Sequence, residues 1–241
     1  MAKLLKGQVA LVTGGGRGIG RAIALHLGRL GATVIVSART RAEIVETARL
    51  IAKAGGVARA VATDITAETS VRRLFQEILR RHGQLDVLIN NAGIGLYGEI
   101  ATFKADDFAR VVATNITGTF LCSRAALGLM MPRRRGYIIN IASVVGFRGY
   151  ALQAAYTAAK HGVLGFTKSL AIEAQPHGIR VSAINPGGVD TAMIRKARPD
   201  LDPAHLLHPD DVAQAIEYLL RLSDRAAVDE IYLRRRKSAP F

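Results

Sequence analysis

The chain has 241 residues, 49% of them hydrophobic, and carries 33 Lys and Arg against 19 Asp and Glu, a formal charge of +14. This length suits one α/β domain with a well-buried core and is short for two. No stretch approaches the ~20 apolar residues needed to cross a bilayer, the segment 1–6 lacks the long apolar run of a secretion signal, and the single Cys122 excludes an internal disulfide, so a cytoplasmic protein with no membrane span is expected.

Strand-like apolar runs rich in β-branched residues recur at 9–12, 33–37, 58–62, 87–90, 137–141, 180–184 and 230–233. Helical patterns lie between them, at 18–30, 40–54, 67–82, 105–131, 152–175 and 209–222. Strand and helix alternate without a break in composition, which predicts one domain over 1–241. Its architecture would be a doubly wound, seven-stranded parallel sheet with helices on both faces. Cys122 falls on a helical apolar pattern and reads as core packing.

The first strand runs into Thr13-Gly14-Gly15-Gly16-Arg17-Gly18-Ile19-Gly20, followed by the helical pattern Ile23, Leu27, Leu30. Strand, glycine turn and helix are the setting that dinucleotide binding needs. Glycines let the backbone approach a pyrophosphate, and the helix start offers free N–H groups and a positive dipole end. A P-loop is the competing reading, but Gly20-Arg21-Ala22 stands where Gly-Lys-Ser/Thr is required. The later special residues Arg39, Asp64, Asn90, Ser143 and Pro186 also follow strand-like runs. Ligands sit at that carboxyl edge of an open α/β sheet.

Tyr156 and Lys160 stand four apart in a helical pattern and project from one face. An ammonium beside a phenol favours the phenolate. Bringing a phenol from ~10 to ~7 takes about 4 kcal/mol, which Lys160 and a cofactor's positive ring are expected to supply together. After the second strand comes Ser37-Ala38-Arg39-Thr40, with no acid before Glu43. An acidic residue there would take a free 2′-hydroxyl. Arg39 instead offers a planar fork suited to a 2′-phosphate, with Arg17 able to flank it.

In this order, the glycine turn, Asp64, Asn90-Asn91-Ala92-Gly93, Asn115, Ser143, Tyr156 with Lys160, and Asn185-Pro186-Gly187 make the chain resemble the short-chain dehydrogenase/reductase family over about positions 7 to 233. Within it the likeness is greatest to 3-oxoacyl-acyl-carrier-protein reductases. The resemblance implies a Rossmann fold and NADP(H)-dependent hydride transfer between nicotinamide and a carbonyl or secondary alcohol. A 3-oxoacyl thioester or similar ketone would be the substrate. Another small ketone, aldehyde or cyclic alcohol, and a non-catalytic NADP(H)-binding protein, are the alternatives.

By the same resemblance Tyr156 is the proton donor, Lys160 holds its pKa low and binds ribose hydroxyls, Ser143 orients the carbonyl, and Asn115 anchors a water. The cofactor would be held by Gly14, Arg17, Gly18, Ile19, Gly20, Arg39, Asp64, Ile65, Asn91, Ala92 and Gly93, and by Pro186, Gly187, Val189 and Thr191 on the far side. Asp64 is read equally as an adenine partner and as a helix cap, and Asn90 as part of the adenosine wall. Phe147, Tyr150 and Met193 would border the substrate beside Ser143 and Tyr156, and the stretch 188–208 would form a lid. The family implies a homotetramer or a homodimer.

The basic charge includes Arg133-Arg134-Arg135 and a tail at 234–241, where the resembling reductases end in a glycine-rich segment. Nucleic-acid binding is disfavoured, because the basic residues are dispersed and aromatic residues are few. A docking face for an acidic acyl carrier and a merely solvated surface remain. His205 and His208 lack metal-site spacing, and no metal is expected.

Overall fold

The structure, a computed structural model, describes residues 3–240, so the expectations for Met1, Ala2 and the tail's last residue, Phe241, lie outside the described residues. In chain order the elements are β1 (Val9–Thr13), α1 (Gly18–Arg29), β2 (Thr33–Ala38), α2 (Arg41–Lys53), β3 (Val57–Ala62), α3 (Glu68–His82), β4 (Val87–Asn90) and α4 (Ala105–Val112). There follow α5 (Gly118–Met130), β5 (Gly136–Ile141), α6 (Ala154–Ala174), β6 (Ile179–Pro186), α7 (Ala192–Ala197), α8 (Pro209–Arg221) and β7 (Glu230–Leu233).

The strands form one sheet in the order β3-β2-β1-β4-β5-β6-β7, parallel at every pairing. The expected seven-stranded parallel sheet is therefore present. Burial explains why β1 reads as a continuous apolar run. Ala10 and Val12 pack on one face with Ile23 and Leu27 of α1, Ile44 and Ile51 of α2, and Ile216 and Leu219 of α8. Val9 and Leu11 pack on the other with Leu74 and Ile78 of α3, Leu121 and Met130 of α5, and Leu170 of α6. Cys122 is fully buried in that second layer, and burial pushes its thiol up to about 12.

Successive connections leave β1 toward β2 on one side and β4 on the other, which opens a crevice at the carboxyl ends of β1 and β4. A buried polar ladder ties the helices behind that crevice to the sheet. Asn90 donates to Ser123 of α5 and to Asn140 of β5, each at 2.9 Å, and Asn140 donates to Thr167 of α6 at 2.8 Å. The Asn90 side chain thus turns into the interior, away from any adenosine wall. Its two donor hydrogens are both consumed there.

The pattern at 105–131 predicts one helix, but the structure divides it. A π-helical turn, Ala113–Thr117, separates α4 from α5. The inserted turn breaks the regular ladder at Asn115, and such bulges frequently mark functional sites. Among the described residues no helix is long and apolar enough to cross a membrane.

Candidate active site

The glycine turn is shaped by close approach. Gly14 has φ +65°, and a Cβ there would lie 2.8 Å from the Ala92 Cα. A Cβ on Gly20 would strike the Gly14 carbonyl oxygen. Asn91 fastens the turn from β4, donating to the Thr13 oxygen at 2.9 Å and the Gly14 oxygen at 3.2 Å. Thr13 returns the link by accepting the Asn91 and Ala92 amides at 3.0 and 3.1 Å. Helix α1 starts at Gly18 without a side-chain cap, so its first N–H groups are left for another acceptor. Ile19, half-buried, packs on the core below.

Across the crevice, β6 ends in Pro186-Gly187 and the chain continues to Thr191, which caps α7 by accepting the Ile194 amide at 3.4 Å. A Cβ on Gly18 would stand 3.3 Å from the Thr191 methyl carbon, so the two banks meet there. Val189 is buried and bridges to Leu207, closing the 188–208 stretch on itself. Its bidentate ion pairs, Arg195–Asp190 and Arg198–Asp200, stay within the stretch.

Near the end of β2, Arg17 reaches Glu43 at 3.5 Å with 76% of its side chain exposed. Arg39 is exposed as well, and its charge lowers the Asp64 carboxyl. Burial would raise that carboxyl, but the Thr66 hydroxyl and amide, at 2.7 and 2.9 Å, overcome burial and bring it down. Asp64 thereby closes a local turn ahead of α3, whose own N-cap position, Ala67, carries no side-chain cap. Ile65 is buried beside Gly118, at the start of α5.

Four residues converge at the carboxyl ends of β4, β5 and β6. The π turn presents Asn115, whose amide nitrogen donates to the Ile94 and Val111 oxygens at 2.8 and 2.9 Å. Its Oδ1 is buried without a partner. A Cβ on Gly93 would come within 2.6 Å of that oxygen and 3.7 Å of Lys160 Nζ, so only glycine leaves the space between them. Lys160 is 5% exposed, donates to the Ile141 oxygen at 2.8 Å, and stands 5.7 Å from the Tyr156 ring centre. Ser143 accepts the Val145 amide at 3.2 Å and donates to the Pro186 oxygen at 3.4 Å, and its hydroxyl lowers the Tyr156 phenol.

Burial sets the titration of this group in the protein alone. Burial lowers the Lys160 amine to about 8. Burial also raises the Tyr156 phenol well above its ordinary range, Tyr97 raises it further, and Ser143 opposes them. The Lys160 amine is itself desolvated and spends one donor on the Ile141 carbonyl.

Among the residues expected at the substrate, Phe147 meets Tyr232 of β7 edge-on at 4.7 Å, and Tyr150 and Met193 are exposed. Tyr97 escaped the sequence reading. It meets Tyr156 edge-on at 6.0 Å between centroids, and a lone aromatic residue in a loop carries no periodic signal. The basic tail lies beside the same turn, with Leu233 accepting the Gly187 amide at 2.6 Å. A Cβ on Gly188 would lie 3.4 Å from Arg235 Cδ.

The glycine cradle, the uncapped start of α1 and the orphaned Asn115 oxygen fit a dinucleotide lying from β2 across β1 and β4 toward Lys160. The short chain dehydrogenase family pattern matches residues 8–202. The chain belongs to that family and is an oxidoreductase. It is 41% identical over 223 residues to a 3-oxoacyl-acyl-carrier-protein reductase of Synechocystis sp., covering 89% of this chain and 90% of the relative. A metagenomic short-chain oxidoreductase in complex with NADP superimposes with a TM-score of 0.86 at 36% identity, covering 98% of this chain and 100% of the other. A variant of the actinorhodin polyketide ketoreductase with NADPH gives 0.90 at 33% identity, covering 98% of each chain.

The Lys160 amine has a testable consequence for stability. Its folded value, about 8, lies below the ordinary 10.5, so the native state releases this proton before the unfolded chain does. Stability from this group therefore rises as pH climbs from about 8 to about 10.5. In urea unfolding without added nucleotide, the parent should gain roughly 3 kcal/mol on Lys160→Met across that window. A difference between the two that does not vary with pH would contradict this burial.

Proposed function

We propose that the chain is an NADPH-dependent carbonyl reductase, with a 3-oxoacyl thioester or similar ketone as substrate. The observation that carries this reading is that Lys160, beside Tyr156, and Asn115 border the space that Gly93 leaves open. When bound, NADPH supplies the hydride. Negative charge then develops on the carbonyl oxygen, and the protein must hold that oxygen and protonate it.

Burial keeps the Tyr156 phenol protonated, which is the form a donor needs. Ser143 turns its hydroxyl from its long bond with the Pro186 oxygen and donates to the substrate oxygen as Tyr156 delivers its proton. The two remaining Lys160 donor hydrogens serve ribose hydroxyls and, through a water on Asn115 Oδ1, proton resupply. Asn91, Ala92, Gly93, Pro186, Gly187, Val189 and Thr191 form the cofactor's walls, and the 188–208 stretch acts as the lid. Asp64 spends one oxygen on Thr66 and has the other for the adenine amino group.

Arg39 and Arg17 support a 2′-phosphate, with Arg17 leaving Glu43 to reach it. The cationic tail beside Gly188 supports an anionic acyl-carrier thioester. The edge-on Phe147–Tyr232 pair favours a second reading, a cyclic or aromatic ketone. Phe120 and Ile172, exposed on α5 and α6, support a two-fold assembly, a homodimer or homotetramer.

Tyr156→Phe should cut turnover by at least about 100-fold while NADPH binding, followed by its fluorescence, is kept. Retained turnover would overturn the assignment. Arg39→Asp should lower the kcat/KM ratio of NADPH to NADH by about 10- to 100-fold, the loss of a charged hydrogen-bond pair. Equal use of NADH by the unaltered protein would refute the preference.

A further inference from the structure

Tyr97 stands in the loop between β4 and α4, and that loop is held firmly. Ile94, Leu96 and Phe103 pack against Val111 of α4 and Ala155 and Ala159 of α6. The Gly98 amide donates to the Leu152 oxygen at 2.9 Å, tying the loop to the residues that lead into α6. Leu152 itself takes the left-handed conformation, φ +65°. Tyr97 and Tyr156 are thus fixed on two segments bound to one another, with their rings edge-on at 6.0 Å and 72°.

The Tyr97 phenol is half-buried and hydrogen-bonds no described residue. A buried tyrosine hydroxyl ordinarily finds a partner. This one is also absent from the fully enclosed orphan atoms, so its oxygen, which lies against Gly95, keeps some exposure to solvent. Burial pushes it up to about 12, which keeps it a neutral donor at physiological pH. Packing alone would be served by phenylalanine. A protonated hydroxyl without a partner, beside the reactive phenol, is suited to an acceptor that arrives with the substrate.

We propose that Tyr97 is a substrate-binding residue that donates to the second carbonyl of a 1,3-dicarbonyl substrate while Tyr156 and Ser143 serve the carbonyl being reduced. This assignment rests on the carbonyl-reductase reading and narrows its substrate class. Two phenols whose ring centroids stand 6.0 Å apart favour a substrate with two acceptors a few atoms apart. A simple ketone engages only the Tyr156 side, and it gains nothing from the second phenol.

The test compares the unaltered protein with Tyr97→Phe, which keeps the ring and its edge contact. NADPH oxidation is measured with acetoacetyl-N-acetylcysteamine thioester and with 2-pentanone. The variant should lose about tenfold more kcat/KM on the thioester than on the ketone, the worth of one hydrogen bond to a carbonyl, mostly through KM. Equal losses on both substrates, or no loss on either, would overturn the assignment. Calorimetric titration of the thioester into the NADP+-saturated protein reads the same contact without turnover. An equal Kd for both proteins would sink the Tyr97 assignment. A Kd weakened about tenfold in the variant, in a protein that reduces no carbonyl, would uphold Tyr97 and sink the reductase reading.

Discussion

Withdrawal from water at the carboxyl ends of β4, β5 and β6 is the constraint around which the site is arranged. Lys160 has its ammonium in the interior, bonded to the Ile141 oxygen, and among the described residues it forms no ion pair. Tyr156 is half-buried beside it, and withdrawal of its phenol from water raises it. A lone buried ammonium is unfavourable for stability, so its persistence needs a surrounding structure that cannot relax around it. The parallel sheet, covered on both faces, supplies that rigidity.

The parts of the fold nearest the crevice serve this arrangement. The ladder from Asn90 through Asn140 to Thr167 sets α6 against the sheet, and its branch to Ser123 does the same for α5. The π turn between α4 and α5 swings Asn115 toward Lys160. On the opposite bank, Asn91 and Thr13 lock the glycine turn to the end of β4. Both banks are therefore referenced to the same strand. A dinucleotide spanning them meets a preformed surface, which limits the ordering it must impose on binding.

Much of this was legible in the sequence because its signals are local. Buried parallel strands read as apolar runs, as Val9–Thr13 and Val87–Asn90 do, and the glycines of the turn announce close backbone approach. Spacing puts Tyr156 and Lys160 on one helix face, and the family resemblance adds Ser143. Properties set by tertiary surroundings were not legible. Asn115 is placed at the site by the resemblance alone, and the π turn that carries it has no local sequence signal. Asn90 and Asn91 look alike in sequence, yet strand alternation sends the first into the polar ladder and the second to the crevice. Spacing reveals the cation beside Tyr156 but not how far Lys160 is withdrawn from water.

The account stands on burial holding the Tyr156 phenol protonated. Carbon-13 NMR of protein labelled at tyrosine Cζ, titrated without nucleotide and assigned with Tyr156→Phe, measures this directly. The account predicts that the Tyr156 resonance does not titrate up to pH ~10, the ordinary phenol value. Ionisation of Tyr156 near pH ~7 in the protein alone, where the ordinary phenol is still neutral, would contradict it.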